Sequence, residues 1–202
     1  MYYNTASSPL LADLFPGNKL LRNPSIPRPT SSNYEVAKKR NTPLWPSRLT
    51  PGINRGYREL RADGTLKEVT AACGPLIYRG DLFPDEFYGD AFFCEPAANL
   101  VKRLVLGPTA NGGLEGESIY TGSEFLSSSD ERFRPVNLYN GPDGALYLVD
   151  MYRGIIQHHL YITTYLRNQI VQRKLDRPIG MGRDRPQLFE PPGGLVWAPV
   201  MG

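Results

Sequence analysis

Residues 135–156 constrain the fold more than any other stretch of the chain. An apolar run ends in Gly141-Pro-Asp-Gly144, a second run from Ala145 to Val149 closes on Asp150, and a short polar loop leads to Ile155 and Ile156. Proline presets the first turn torsion and glycine supplies the positive one, so the tetrapeptide encodes a tight hairpin. The aromatic and β-branched residues on either side favour strands. Strand, Pro-Asp-Gly turn, strand, acid, polar loop and strand is the order of elements in a β-propeller blade.

The pattern recurs. Gly89-Asp90-Ala91-Phe92-Phe93-Cys94-Glu95 lies over Gly144-Ala145-Leu146-Tyr147-Leu148-Val149-Asp150, 55 residues later, and Asn99-Leu100-Val101 lies over Gly154-Ile155-Ile156. A period of this size is close to that of blade repeats. The expected strands of one blade are 74–78, 91–95, 100–106 and 118–126. Those of the next are 135–139, 145–150 and 155–160, with no outer strand assigned. Residues 2–4 are read as the tail of a third blade. The fold class expected is therefore all-β, a partial propeller of about two to three blades. Thr163 to Leu175 departs from the β pattern: Leu166, Ile170 and Leu175 keep roughly helical spacing, Thr163 or Thr164 suits a cap, and Arg173 and Lys174 suit a last turn. One short helix is expected over 164–173.

Composition agrees with a loop-rich β domain. Among 202 residues, 41% are hydrophobic, enough for a core, and the 20 Gly and 19 Pro imply many turns. A net charge of +3 is too mild to argue for nucleic acid, and no apolar run reaches membrane-span length. The expected division is 1–70 as blade tail and long Pro-rich loop, 71–127 as a blade, 128–183 as a blade plus helix, and 184–202 as an irregular tail. A stretch as long as the loop before residue 70 is usually functional or partly disordered. Its Trp45, Arg48, Asn54, Arg55 and Tyr57 are candidates for a lid.

Several strings carry a resemblance: Cys73-Gly-Pro-Leu-Ile-Tyr-Arg-Gly-Asp81, Phe93-Cys-Glu-Pro-Ala-Ala-Asn-Leu-Val-Lys-Arg103, and Asp130-Glu-Arg-Phe-Arg-Pro-Val-Asn-Leu-Tyr-Asn-Gly-Pro-Asp-Gly144, running on through Tyr152-Arg-Gly-Ile-Ile-Gln-His-His159. Over about residues 2–183 the chain resembles the large membrane-bound dehydrogenases of planctomycetes and related bacteria. The resemblance implies a six-bladed propeller similar to soluble quinoprotein glucose/sorbosone dehydrogenases, of which this chain would be a C-terminal piece, inactive alone. It implies pyrroloquinoline quinone (PQQ) and calcium as cofactors, and a carbohydrate or alcohol as substrate. Electrons would pass to a c-type haem domain elsewhere in the parent, in a periplasmic or exported setting. The missing blades and that haem domain are then the partners. The alternative is a non-catalytic propeller that binds carbohydrate or protein. The resemblance stops at Arg183, so 184–202 are expected to be foreign to the family.

In a blade, the loop into the innermost strand and the loop after the second strand share one face. That places Arg132, Arg134, Arg153, Asp150, Glu95 and Asn99 at one mouth, with Arg55 reaching it from the long loop. Arginine suits the carboxylates of a quinone because its planar fork binds them bidentately. Asp150 and Glu95 are orienting acids or calcium ligands in that reading. In the competing reading, the same residue types at strand ends tie blades together. No catalytic residue is assigned. His158 and His159, adjacent on the expected strand, would point to opposite faces. Asp143 is expected to serve its turn. Cys73 and Cys94 form no CxxCH, so covalent haem is not attached to this segment. They are read either as a disulfide or as two buried thiols.

Overall fold

The computed structural model describes residues 2–4, 33–35, 42–49, 60–110, 114–177, 179–190 and 194–197. Strands β1 (Tyr2–Asn4) and β2 (Asn33–Glu35) pair antiparallel as a small sheet of their own. The other strands form two antiparallel sheets. In the first, β3 (Cys73–Ile77), β4 (Ala91–Glu95), β5 (Leu100–Pro108) and β6 (Leu114–Glu117) lie side by side in chain order. The short β7 (Leu126–Ser127) pairs with the start of β5, at residues β6 does not reach. In the second sheet, β8 (Pro135–Asn140), β9 (Leu146–Asp150), β10 (Arg183–Glu190) and β11 (Gly194–Trp197) follow one another. Helix α1 (Thr164–Arg173) lies between β9 and β10 in the chain. The fold is thus mostly antiparallel β with one short helix near the C-terminus, arranged as two blades of an open arc.

Burial explains the pairing. All five residues of β4 are buried, as befits a strand covered on both faces. Its Phe92 packs edge-on against Phe125 with ring centroids 4.9 Å apart, in a core that continues through Leu138, Leu146 and Leu148 of the second sheet. The blades share one core rather than meeting at a wet seam. They also touch along their inner strands. Gly74 has φ +54, and a Cβ there would lie 2.5 Å from Asn137 Cα, so only glycine admits this approach. At the hairpin end, buried Tyr78 donates its hydroxyl to Gly144 O at 2.5 Å and accepts from the amides of Leu82 (3.2 Å) and Phe83 (3.1 Å). One side chain therefore holds the turn regions of both blades.

The Pro-Asp-Gly hairpin forms as expected, with Gly141 N donating to Ala145 O at 2.8 Å. Asp143 serves its turn, accepting from Ala145 N (3.2 Å) and the Tyr147 hydroxyl (2.8 Å). Thr163 caps α1 through Oγ1, which accepts from Leu166 N at 3.2 Å, and Lys174 ends the helix at φ 55.

Three expectations are corrected. Residues 155–160 form no strand. Asp150 directs Tyr152 into a left-handed turn (φ 47), and Gly154 is pressed against the Leu175 backbone, so the chain leaves the sheet and builds α1 first. The partner of β9 comes instead from β10, in register Arg183↔Asp150 through Gln187↔Leu146. The expected strand 118–126 is also absent: β6 ends at Glu117, Gly122 turns at φ +80, and only Leu126–Ser127 rejoin the sheet. Lastly, the tail read as irregular over 184–202 contributes most of β10 and all of β11. Residues 2–4 pair with 33–35 and with neither blade. Among the described residues, no helix is long and apolar enough to cross a membrane.

Candidate functional site

The ends of β4 and β9 and the starts of β5, β8 and β10 lie at one end of the sheets, opposite the Gly141–Gly144 hairpin. Glu95, Asn99, Arg132, Arg134, Asp150 and Arg153 all fall at this end, as the blade pattern implied. Their side chains, however, serve different ends.

Asp150 is fully buried, and its Oδ1 accepts from Arg134 N and Tyr152 N, both at 2.8 Å. It closes β9 and fixes the entry to β8 together. Arg134 is also buried. Its Nε donates to Arg153 O (2.9 Å), Nη1 to Pro96 O (2.6 Å) and Nη2 to Gly154 O (3.0 Å). The guanidinium thus clamps the loop after β4 to the loop after β9, one blade to the next. Burial pushes its pKa down to about 10, with the nearby Arg48 charge acting in the same direction. Arg132 donates from Nε to Arg177 O and from Nη2 to Lys174 O, both at 3.0 Å, satisfying carbonyls beyond the end of α1.

Glu95, fully buried, accepts from Thr70 N (2.9 Å), Thr70 Oγ1 (3.1 Å) and Ala71 N (2.9 Å to Oε2). Burial pushes its carboxyl above the ordinary range, and those hydrogen bonds oppose the shift. Asn99 sits at φ 57, accepts from Arg48 Nη1 at 3.0 Å and donates to Phe133 O at 2.5 Å. Arg48 in turn pairs with Glu131 at 2.5 Å, and Glu131 also pairs with Arg173 of α1. Arg48 of the expected lid therefore does reach this face, where it joins a clamp rather than a vacant pocket. Arg55, with Asn54 and Tyr57, lies outside the described residues.

Arg153 differs from the others. Its side chain is half-buried and makes no hydrogen bond or ion pair to a described residue. Together with Asp150, Met151, Val136, Val149, Gly180 and Gly182 it lines an open cleft of about 410 Å³. Of the predicted residues that the structure describes, only Arg153 and the fully buried Asp150 line this cleft. The histidines take no part: they precede α1 in a turn rather than a strand, exposed, with rings 4.6 Å apart instead of on opposite faces. Among the described residues, no group of three or more His, Cys, Asp or Glu side chains could hold a metal.

A second charged cluster had no signal in the sequence. Lys102 and Glu124, both with fully buried side chains, pair at 3.1 Å; Lys102 also donates to Pro43 O at 2.8 Å, and Glu124 accepts from Trp45 N at 2.8 Å. Burial pushes the Lys102 pKa down and the Glu124 pKa up, each opposed by the partner's charge. The pair anchors residues 43–45 to β5, and 22 residues of chain separate its members.

A family model described as a domain of unknown function, DUF7133, matches residues 1–183. The chain belongs to that family. No curated protein and no solved structure matches it. The DUF7133 match takes in both inner strand pairs, α1 and every predicted site residue, and ends at the first residue of β10.

Proposed function

We propose that the two blades belong to a propeller that takes a carbohydrate or other alcohol at its loop-bearing face. In this reading the parent protein, exported or periplasmic, oxidises that ligand in the manner of the quinoprotein glucose/sorbosone dehydrogenases and passes electrons to a c-type haem domain elsewhere. The observation that carries the ligand half is the open cleft beside Asp150 and Arg153. A guanidinium fork with no partner among the described residues offers several donors to hydroxyl or carboxylate oxygens, on a loop already braced by Arg134. The redox half rests on the resemblance of residues 73–81, 93–103 and 130–159.

The residues expected to hold PQQ and calcium do not fit them as a set. A polycarboxylate quinone calls for several uncommitted cations, whereas Arg132 and Arg134 donate to the chain's own carbonyls, Glu95 accepts from Thr70 and Ala71, and Asn99 is bonded to Arg48 and Phe133 O. Among the described residues only Arg153 is available, and no metal-holding cluster stands beside it. A cofactor in the parent would therefore be held chiefly by other residues. The same commitment favours the second reading, a non-catalytic propeller that binds carbohydrate.

The test is dye-linked oxidation of sugars and small alcohols by the full-length parent protein, with and without added PQQ and calcium, beside direct sugar binding. Oxidation that depends on PQQ supports the first reading, and sugar binding without dye reduction supports the second. In either case Arg153→Ala should weaken ligand affinity roughly tenfold, the loss of one charge-assisted hydrogen bond. Absence of both binding and oxidation overturns both readings.

A further inference from the structure

Cys73 and Cys94 are direct partners across β3 and β4, the inner pair of strands of the first blade. Both are free thiols here, Cys94 fully buried and Cys73 half-buried against the shared core. Residues directly opposite in an antiparallel pair have Cα atoms about 4.5–5.5 Å apart, inside the 4.4–6.8 Å window a disulfide needs. The register shifts just after Cys73, and Gly74 takes φ +54, so the backbone beside the pair is already irregular and able to adjust. The blade has no cysteine elsewhere to compete.

We propose that Cys73 and Cys94 are a cross-strand disulfide site, closed by exchange with a small-molecule or protein disulfide. In the exchange, the Cys73 thiolate attacks the donor disulfide and expels one donor thiolate. The Cys94 thiolate then attacks Cys73 Sγ and expels the second. Two thiol protons are released and two electrons pass to the donor, which leaves as two thiols. Cys73 attacks first because it is the partly accessible sulfur. Burial pushes the Cys94 thiol pKa well above its ordinary value, so closure is slow in the folded chain and quickens with pH. The bond closes a loop that holds the Tyr78 clamp and Phe92, so it restrains the segment that joins the two blades. It does not depend on the proposed ligand or on redox activity of the parent.

The experiment is oxidation of the reduced protein with oxidised glutathione, both folded and during refolding from denaturant, read by intact mass, non-reducing peptide mapping and thermal melting. The expected product has lost the mass of two hydrogens, yields one peptide pair linking residues 73 and 94, and melts about 6–12 °C higher, reversibly with reductant. Cys73→Ser and Cys94→Ser should each abolish the linked peptide and the gain. The proposal is overturned if refolding under oxidant gives only glutathione adducts or chain-to-chain disulfides. It is equally overturned if the linked form melts no higher than the reduced one.

Discussion

Replacing Arg134 with alanine separates a binding residue from a brace. The wild-type guanidinium donates to three carbonyls, Pro96, Arg153 and Gly154, across two loops. Hydrogen bonds from a charged donor contribute about 1.5–3 kcal/mol each, so the gross contribution is roughly 5–9 kcal/mol. Against this stands the cost of burying the charge: a fall in pKa from 12.5 to about 10 corresponds to about 3 kcal/mol. The difference leaves a net loss of roughly 2–6 kcal/mol for Arg134→Ala, in the range seen when a buried polar network is broken. For a chain of this size that is a drop of about 5–20 °C in Tm. Arg134→Lys should recover only part, since a point charge cannot reach three divergent carbonyls. The assay is thermal and urea unfolding of wild type, both variants and Arg153→Ala, with sugar binding to the parent measured alongside. Arg153→Ala should melt within about 2 °C of wild type, because it breaks no bond to a described residue. If Arg134→Ala instead melts with wild type and loses ligand affinity, the brace is refuted and Arg134 belongs to the binding site.

Two further outcomes follow from buried groups. Tyr78→Phe removes one hydroxyl but strands the Gly144 carbonyl and the Leu82 and Phe83 amides, and should cost about 2–4 kcal/mol; unchanged melting and unchanged amide exchange at residues 82 and 83 would contradict the double clamp. Glu95 has a folded-state pKa raised above 4.5, chiefly by burial, so the folded chain binds more protons than the unfolded one just above that pH. Its contribution is therefore present at low pH and lost as pH rises through the raised value. Wild type minus Glu95→Gln stability should fall with pH from about 4.5 upward, by at most about 1.4 kcal/mol per pH unit; a difference that is flat or climbs would mean the bonds from Thr70 and Ala71 outweigh burial.

The inner strands of both blades were legible because their signals are local. The Gly141-Pro-Asp-Gly144 turn fixes the β8–β9 hairpin by its own torsions, and the repeat over 89–95 transfers that reading to β4. The outer strands were not legible, because what completes a sheet depends on contacts far away in sequence. Ile155 and Ile156 have strand-like composition, yet the left-handed turn at Tyr152 removes them from the ladder, and β10 takes the place beside β9. Periodicity sees only composition and spacing; it cannot see that Gly154 must pass against Leu175.

The candidate site shows the same division one level up. Blade order alone was enough to bring Glu95, Asn99, Arg132, Arg134, Asp150 and Arg153 to one face. It could not say where their donors and acceptors point, because the partners are mostly backbone atoms: Pro96 O, Arg153 O, Gly154 O, Lys174 O, Arg177 O and the amides of residues 70, 71, 134 and 152. Backbone groups carry no residue identity, so no pattern in the sequence announces them. A charged side chain at a strand end becomes a ligand group only when the chain leaves it uncommitted and open space lies in front of it. Among the described residues Arg153 is uncommitted and is one of the residues lining the cleft, whereas Arg134 is committed to three carbonyls and is not, although the two stand 19 positions apart at the same mouth. Braces such as Arg134 hold the loop that presents Arg153, so the stability of one and the affinity of the other should be coupled: Arg134→Lys should loosen ligand binding at the cleft in proportion to the stability it loses. Binding that survives unchanged in a destabilised Arg134→Lys protein would show the cleft to be independent of the clamp.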